Sequence, residues 1–500
     1  MVKNRTKRFS GRGQAAPLSL PLAERTNVTK PNILFIFTDD QRFDTVSALG
    51  NQEIDTPNLD RLVAKGTTFT HAHIMGGTAG AVCMPSRAMM LTGRTLFSIE
   101  RQGQRIPPEH TTMPEWFRSN GYATAHVGKW HQDRESHLRS FSSGAKICGF
   151  RTKQGWYEAC NGHWHIPVHD FDPTGEYNPN GGYNDPDVEP FQPPFETTKE
   201  QGRHSVEVFS DAAIDFIRQY PDSEDAAAGK PFFFYLAHLA PHDPRQYPAR
   251  FRERYNANTV SLPPNFATRH PFDNGDLMIR DELLEAHPRR PDAVRQHIAD
   301  YYALIAFIDE QVGSILDALE ESGQAENTII VFSGDNGLAV GQHGLMGKQN
   351  LYDHSVRVPL IITGPGIPEN QRTNAWCYLL DIFPTLCDLI DLPVPETVEG
   401  KSMTPAMHDP SAVVRDTLHF AYKGVQRAVR KGQYKLIEYV VKGKRTTQMF
   451  DLQRDPCETT NLAAKPEHAK IVESLRKELR QWQTELGDNQ EMGNQFWSEY

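Results

Sequence analysis

Cysteine is scarce in this chain, with six residues among 500. So few cysteines argue against a disulfide-stabilised scaffold, and because none of them form a Cys-x-x-Cys pair, they also argue against a zinc-ribbon or thioredoxin-type site. Long hydrophobic runs are missing as well. No apolar stretch approaches the roughly 20 residues that a membrane helix needs, so the sequence predicts no membrane span.

An excess of positive charge is also absent. Lys and Arg total 53 against 63 Asp and Glu, which gives a formal net charge of −10. This acidic balance argues against nucleic-acid binding, and an anionic ligand would need a local group of basic side chains. A hydrophobic fraction of 38% is enough for a large core, and the length fits two or three folding units or one large α/β domain with an appendage.

The first 30 residues carry seven basic side chains and a single acid, Glu24. The apolar stretch over residues 15–23 is short and contains Pro17 and Pro21, which makes a poor secretory h-region. We therefore expect residues 1–30 to be a flexible basic tail. No clear signal peptide is visible, so the chain as written is expected to be cytoplasmic, and periplasmic or secreted if its N-terminus was trimmed.

Apolar runs that alternate with helical patterns predict the fold class. Residues 32–38 form a continuous apolar run, as expected for a parallel strand buried on both faces. Similar runs recur at 122–127, 232–239, 328–333 and 358–363, and helical patterns cover 56–66, 205–218 and 293–319. This alternation predicts an α/β fold with a doubly wound, mostly parallel central sheet flanked by helices.

Two regions depart from this rhythm. Residues 141–200 are rich in Gly, Pro, Asn, Asp and aromatics, and they predict a loop-rich insertion in an α/β domain that spans residues 31–416. Short strands at 425–429, 434–441 and 446–452 precede an amphipathic helix with the apolar stripe Ile471, Leu475, Leu479, Trp482 and Leu486. Residues 417–500 are therefore predicted to be a smaller C-terminal α+β subdomain with an antiparallel sheet.

Acidic side chains follow two of the predicted strands. Asp39 and Asp40 end the first, and Asp335 and Asn336 end the run at 328–333. Alone, each pair is more typical of a turn or a helix cap. Ligands of open α/β sheets collect beyond the carboxyl ends of the strands, however, and an all-oxygen set suits Ca²⁺ or Mg²⁺ rather than zinc. Their shared placement favours a metal site.

The segment Cys83-Met84-Pro85-Ser86-Arg87 precedes a predicted short helix, whose N-terminus would stabilise negative charge together with Arg87. On its own, this cysteine is either a structural residue in an apolar neighbourhood or a thiolate nucleophile that needs a partner histidine. The residues alone leave both interpretations open.

This segment, through Leu91-Thr92-Gly93-Arg94, resembles the C-x-P-S-R signature of the type I sulfatases of the alkaline phosphatase superfamily. In that family a separate maturation enzyme oxidises the cysteine to formylglycine. The resemblance covers roughly residues 31–487, because further family motifs occur in order: Asp39-Asp40, Thr56-Pro57-Asn58, Gly128-Lys129-Trp130-His131, Pro241-His242, Gly334-Asp335-Asn336-Gly337, Gly347-Lys348, Arg357-Val358-Pro359 and Phe450-Asp451-Leu452.

The resemblance implies a role for each matching position. The metal, usually calcium and less often magnesium, would be bound by Asp39, Asp40, Asp335 and Asn336. Residue 83, as formylglycine, would supply a hydrated aldehyde as the nucleophile, and Arg87 would stabilise that hydrate. An unmodified Cys83 is then expected to turn over poorly.

The remaining matching positions would act on the substrate. Lys129 and Lys348 would bind sulfate oxygens, His131 would be the base acting on the intermediate, and His242 would donate a proton to the leaving alcohol. For His343 the sequence leaves a substrate contact and a loop hydrogen bond open.

Two departures from the family pattern bear on the substrate: Gln132-Asp133 follows His131, and Tyr352-Asp353-His354-Ser355 precedes Arg357. The insertion carries rings that could stack on sugars, namely Trp156-Tyr157, His163-Trp164-His165 and His169, although each could equally pack the insertion onto the domain. We expect sulfate ester hydrolysis on a sulfated carbohydrate. The alternatives are an aryl sulfate substrate, a phosphonate monoester or phosphodiester hydrolase of the same superfamily, and a non-catalytic binder of sulfated glycans.

Overall fold

The computed structural model describes residues 30–158, apart from positions 100, 149, 153 and 154, and residues 204–489 and 491–500. The predicted tail over residues 1–29 and residues 159–203 of the predicted insertion lie outside the described residues. The strands are β1 Asn32–Thr38, β2 Gly66–His73, β3 Gly76–Gly77, β4 Ala123–Lys129, β5 Ser143–Cys148, β6 Phe150–Thr152, β7 Gly155–Glu158, β8 Phe232–Ala237, β9 Thr328–Gly334, β10 Arg357–Val358, β11 Leu360–Thr363, β12 Gln371–Tyr378, β13 Thr417–Tyr422, β14 Gln426–Lys431, β15 Tyr434–Val441 and β16 Lys444–Asp451.

The helices alternate with these strands over the first 400 residues. They are α1 Pro57–Lys65, α2 Cys83–Thr92, α3 Met113–Ser119, α4 Arg134–Ser140, α5 Ser205–Gln219, α6 Glu224–Ala227, α7 Pro291–Glu321, α8 Asp353–Val356, α9 Ile382–Leu389, α10 Thr404–His408, α11 Ala469–Glu485 and α12 Glu491–Glu499. No helix in the described part of the chain is long and apolar enough to cross a bilayer.

Nine strands form the central sheet, in the order β10-β2-β11-β9-β1-β8-β4-β5, with β12 also paired to β2. The strands β9, β1, β8, β4 and β5 run parallel, and β11 is antiparallel to both β9 and β2. The predicted α/β fold with a mostly parallel central sheet is confirmed.

Strand β1 shows why the sheet is buried on both faces. Its alternate residues Ile33, Phe35 and Phe37 pack into one hydrophobic layer, and Leu34 and Ile36 pack into the other. The first layer includes residues of α2, α3 and α9, and the second includes residues of α1, α5 and α7. Since side chains of a strand alternate between faces, the continuous apolar run covers both.

The prediction of a loop-rich insertion over residues 141–200 is wrong for its first residues. The first part of the predicted 141–200 insertion is not a loop, because residues 143–148 form β5 and extend the central sheet in parallel beside β4. Its sequence Ser-Gly-Ala-Lys-Ile-Cys has little strand propensity, so pairing with a neighbour rather than local preference makes it a strand. Trp156 and Tyr157 belong to β7, whose side chains are not described, and the predicted sugar contacts His163, Trp164, His165 and His169 lie outside the described residues.

The predicted C-terminal antiparallel sheet is present, in the order β16-β15-β14-β13. The sequence did not predict β13, α12 or the parallel pairing of β3 with β13. Helix α11 packs on this sheet through Val472, Leu475 and Leu479. The buried Lys435 of β15 joins this sheet to α8, since its ammonium lies 2.8 Å from Asp353. The same ammonium lies 2.9 Å from Glu458, which follows β16.

Candidate active site

Four polar side chains meet where β1 and β9 end. Thr38 and Gly334 are partners in the parallel pairing of these strands, so the residues that follow them lie side by side. The amide N–H of Asp40 donates to Oδ1 of Asp335 over 3.0 Å, and Asn336 Nδ2 donates to Oδ1 of Asp40 over 2.7 Å. The predicted metal ligands Asp39, Asp40, Asp335 and Asn336 are therefore brought together.

Two oxygens of this group fit a cation. Oδ1 of Asp39 and Oδ1 of Asn336 are buried and have no hydrogen-bond partner among the described residues. A buried acceptor without a donor costs free energy, which a metal ion would remove. Ligand atoms of Asp39, Asp40 and His242 all lie within 4.8 Å of one another, as do those of Asp39, Cys83 and Asp335. The donor set, rich in carboxylate oxygen, suits a hard divalent cation.

The pKa values of the two inner carboxylates are shifted in opposite directions. Burial opposes ionisation of Asp39, yet the neighbouring charges of Lys129 and Arg87 hold its pKa well below the usual range. Burial and the nearby Asp39 carboxylate raise the pKa of Asp335 to about 6. A divalent cation between them would stabilise the ionised form of both.

Cys83 is the first residue of α2, and the helix is buried along its whole length. Its sulfur lies 3.7 Å from the Nζ atom of Lys129. Burial raises the pKa of the Cys83 thiol to about 12, against the opposing charges of Lys129 and Lys348. An unmodified thiol here is protonated at neutral pH, and a protonated thiol is a weak nucleophile.

Arg87 lies one helical turn after Cys83 and on the same face of α2. Its guanidinium is fully buried and donates from Nε to Oδ2 of Asp335 over 2.8 Å and from NH2 to Oδ2 of Asp39 over 3.2 Å. NH1 lies 3.3 Å from both the Lys129 carbonyl oxygen and the hydroxyl of Tyr235. Arg87 thus joins the helix that carries Cys83 to the ends of both acidic strands.

Two lysines complete the basic part of the site. Lys129, the last residue of β4, forms a close ion pair with Oδ2 of Asp39, and Lys348 donates from Nζ to Oδ1 of Asp40 over 2.6 Å. Both ammonium groups are nearly fully buried. Burial opposes their charge, but the adjacent carboxylates raise the pKa of both lysines. The site therefore holds two ammonium ions that can bind anionic oxygens.

The two candidate histidines differ in exposure. The His242 side chain is 24% exposed, and its Nε2 lies 3.7 Å from Oδ2 of Asp40. His131 is 5% exposed, with a left-handed backbone φ of 81°. Burial and then the charge of Lys129 lower the pKa of His131 well below its ordinary value. The ring of His131 is thus neutral at pH 7, and His242 is the more exposed of the two histidines.

Sequence comparison agrees with this geometry. A family profile described as "Sulfatase" matches residues 31–392, and one described as "N-sulphoglucosamine sulphohydrolase, C-terminal" matches residues 341–485. The chain belongs to the sulfatase family. The resemblance to the type I sulfatases of the alkaline phosphatase superfamily is confirmed, and the protein is a sulfatase.

Individual relatives of this sulfatase cover nearly all of it. An N-acetylglucosamine-6-O-sulfatase of Bacteroides thetaiotaomicron is 26% identical, over 93% of this chain and 88% of the relative. The structure of BT4656 with its substrate D-glucosamine-2-N,6-O-disulfate has a TM-score of 0.67 at 21% identity, over 93% of this chain and 99% of that one. The phosphonate monoester hydrolase of Agrobacterium radiobacter has a TM-score of 0.71 at 21% identity, over 91% and 96%.

His343 is placed away from the acidic cluster of the sulfatase by its own contacts. Its Nε2 lies 3.1 Å from Nδ2 of Asn265, and its ring stacks on Tyr352 with centroids 3.9 Å apart. Of the two roles left open by the sequence, the structure supplies the loop hydrogen bond. A substrate contact by His343 stays an untested prediction.

The two departures from the family motifs have structural partners. Gln132 Nε2 donates to the Met84 carbonyl at the start of α2, and Asp133 caps α4 by accepting from the Ser136 N–H. Tyr352 donates to Gln448 of the C-terminal sheet, and Asp353 pairs with Lys435. These residues hold elements together, so the departures do not by themselves indicate an unusual substrate.

Sequence reasoning missed several residues that support the site. Tyr301 donates to the Asp40 carbonyl over 2.6 Å, and Ser86 donates to the Asp335 carbonyl over 2.5 Å. Asp243 contacts His242, Arg280 pairs with Asp243, and Glu282 accepts from the Gly347 N–H next to Lys348. Two of these residues had a signal in the sequence, because Ser86 lies in the C-x-P-S-R segment and Asp243 is adjacent to His242.

Proposed function

We propose that this sulfatase removes sulfate from a sulfated carbohydrate, with residue 83 converted to formylglycine and calcium bound by Asp39, Asp40, Asp335 and Asn336. The observation that carries the proposal is the meeting of Cys83 with a buried oxygen-rich group and three buried cations in one site. An oxygen-rich donor set with two orphaned buried acceptors favours calcium over softer metals.

The charge balance of the site supports an anionic substrate. Three carboxylates, of Asp39, Asp40 and Asp335, are matched by the cations of Arg87, Lys129 and Lys348. A bound divalent cation would supply Lewis-acid polarisation of a sulfate oxygen and would leave the site with a net positive charge. Because the chain as a whole carries −10, this positive site would be a local attraction for an anion.

Formylglycine at position 83 would supply, in its hydrated form, one hydroxyl for attack on sulfur and a second for release of sulfate. The residues around it suit that use. Lys129 lies at hydrogen-bonding reach of the position 83 side chain and can hold a substrate oxygen beside it. Arg87 keeps the first turn of α2 tied to Asp335, so position 83 stays directed at the acidic group.

Two histidines would divide the proton transfers. His131 is buried and neutral, so it can take a proton from the group at position 83. His242 is half-buried on the open side of the site, where a leaving group would extend, and it can donate a proton to the leaving alcohol. A sugar alcohol is a poor leaving group, so this donation would be required for a carbohydrate sulfate.

The carbohydrate substrate is supported by the comparisons. A curated relative and a solved structure, both named for glucosamine sulfates, each cover 93% of the chain, and the C-terminal part matches an N-sulphoglucosamine sulphohydrolase profile. A sulfated amino sugar is therefore the substrate class to test first. The phosphonate monoester hydrolase shares the fold, which keeps phosphonate hydrolysis as the second candidate.

The test uses the full chain produced with a formylglycine-generating maturation enzyme. N-Acetylglucosamine 6-sulfate, 4-nitrophenyl sulfate and the phosphonate monoester 4-nitrophenyl phenylphosphonate are assayed side by side with calcium present. We expect the largest kcat/KM on a sulfate ester, and sugar desulfation that is lost in a Cys83→Ala variant. Faster hydrolysis of the phosphonate monoester would favour the second candidate. Binding of the sulfated sugar without any turnover would indicate a non-catalytic binder.

A further inference from the structure

His242 lies between two acidic residues. Its Nε2 points toward Asp40, and its Nδ1 lies 2.8 Å from the carbonyl oxygen of Asp243 and 3.4 Å from the carboxylate oxygen Oδ1 of the same residue. A carbonyl oxygen can only accept, so Nδ1 must be the donor. This contact keeps the proton on Nδ1 in the neutral ring and directs Nε2 into the site.

Asp243 is itself held in place from the other side. Its side chain is 3% exposed. Arg280 donates to both carboxylate oxygens, with Nη1 3.2 Å from Oδ1 and Nη2 in close contact with Oδ2. Two parallel N–H···O bonds from a guanidinium fix the plane of a carboxylate as well as its distance. The carboxylate of Asp243 is therefore held in a fixed orientation, with Oδ1 3.4 Å from Nδ1 of His242.

Arg280 belongs to an irregular segment, residues 276–289, that also reaches the Lys348 loop. Arg280 NH1 contacts Oδ1 of Asp281 over 3.0 Å, and Oδ2 of Asp281 accepts from Gln349 Nε2 over 2.6 Å. The buried Glu282 accepts from the backbone N–H groups of Met346 and Gly347. One segment thus supports both His242 and the loop that carries Lys348.

We propose that Asp243 is a positioning residue for proton donation by His242, and that Arg280 acts through Asp243. The inference rests on the proposed function. As the deprotonated hydroxyl of the hydrate at position 83 bonds to sulfur, the bond from sulfur to the bridging oxygen breaks and its electron pair stays on that oxygen. The oxygen takes the proton from Nε2, and the ring is left neutral with its proton on Nδ1, still donated to Asp243.

The test compares leaving groups. Asp243→Asn keeps the size of the side chain and the contact of the backbone carbonyl with His242, but it removes the negative charge and the ion pair with Arg280. We expect kcat for N-acetylglucosamine 6-sulfate to fall about 10- to 100-fold, and kcat for 4-nitrophenyl sulfate to fall less than about threefold, because nitrophenolate leaves without a proton. The KM values and the calcium affinity should stay near those of the wild type.

Arg280→Gln tests the same relation from an accessible side chain that is 41% exposed, and it decides the matter if Asp243→Asn does not fold. The Arg280→Gln variant should lose kcat on the sugar sulfate and keep most of its kcat on 4-nitrophenyl sulfate. Arg280→Lys should recover part of the lost kcat. Asp44→Asn is the matched control, since Asp44 also pairs with an arginine side chain, that of Arg42, and it should leave the ratio of the two substrates unchanged.

The outcomes separate this inference from the proposed function. If the wild type hydrolyses neither sulfate, the proposed function fails. If the wild type hydrolyses both and the Asp243 and Arg280 variants lose activity equally on both, or on neither, the positioning role is wrong.

Discussion

Lys129 holds its ammonium nitrogen 3.7 Å from the sulfur of Cys83 while it pairs with the carboxylate of Asp39. Lys129 ends strand β4 and Cys83 begins helix α2, so two separate elements converge on one point beside the acidic strand end. This placement puts the ammonium of Lys129 within hydrogen-bonding distance of the position where chemistry is proposed.

Replacing Lys129 should therefore impair catalysis strongly. We expect Lys129→Ala to lower kcat/KM for the sugar sulfate by about 100- to 1,000-fold, because a fixed charge in a buried site stabilises developing negative charge far better than one in water. Steady-state kinetics measure the loss. Lys65→Ala, which removes an exposed lysine paired with Glu320, should have no effect. A Lys129 variant within threefold of the wild type would remove this residue from the site.

Asp335 should couple metal binding to activity and to stability. Asp335→Ala removes one predicted ligand and leaves the buried guanidinium of Arg87 with a single carboxylate partner. We expect calcium binding and turnover to be lost together, and the free energy of unfolding to fall by about 3–5 kcal/mol. Titration calorimetry with calcium and denaturant unfolding measure these losses.

The control for Asp335 is Asp273→Ala, which breaks an exposed pair with Lys442 and should change none of the three quantities. Retained calcium with normal turnover in the Asp335 variant would show that the metal site has been misplaced.

Gly128 should be essential to the placement of Lys129 and His131. Its φ is +100°, and a Cβ atom there would lie 1.9 Å from the Ala237 carbonyl oxygen of the neighbouring strand β8. Because backbone cannot yield like a flexible side chain, we expect Gly128→Ala to destabilise the fold by roughly 2–4 kcal/mol and to reduce activity in the surviving protein.

Gly121 is the matched control, since it has a φ of +91° but a Cβ atom there would have no neighbouring atom within 4 Å. Gly121→Ala should cost about 1 kcal/mol, from backbone strain alone, with normal turnover. Equal losses of stability in the two variants would mean that the close approach of β4 to β8 is not what requires the glycine.

The parts of this site that follow strands could be predicted, and the parts that depend on long-range contacts could not. The positions of Asp39 and Asp335 could be predicted because apolar runs identify β1 and β9, and because parallel strands end at the same edge of a sheet. The role of Arg280 could not be predicted, because it lies in a segment without a helix or strand pattern and contacts Asp243 only in the tertiary structure. Strand β5 was missed for a related reason, since its residues become a strand by pairing with β4.

The stability of the fold should depend on pH through Asp309. This carboxylate of α7 accepts the Leu59 N–H at the start of α1 over 2.7 Å, and burial raises its pKa from 3.8 to about 6. Asp309 then binds a proton more tightly in the folded state than in the unfolded chain. The stabilisation by protonated Asp309 is therefore present below about pH 4 and is lost as the pH rises through about 6.

Asp309→Asn removes this titration. We expect the free energy of unfolding of the wild type, relative to this variant, to fall by about 3 kcal/mol between pH 4 and pH 7. Urea unfolding of both proteins across that range measures the difference. A difference that stays constant, or that grows with pH, would contradict the assignment.

Residue 83 should carry an aldehyde rather than a thiol in the working enzyme. Mass spectrometry of the peptide that contains residue 83 checks this, on samples whose desulfation rate has been determined and in which the converted fraction varies. Activity should rise in proportion to the fraction that carries an aldehyde in place of the thiol. Full activity in a sample whose residue 83 is entirely unconverted cysteine would show that the formylglycine proposal is wrong.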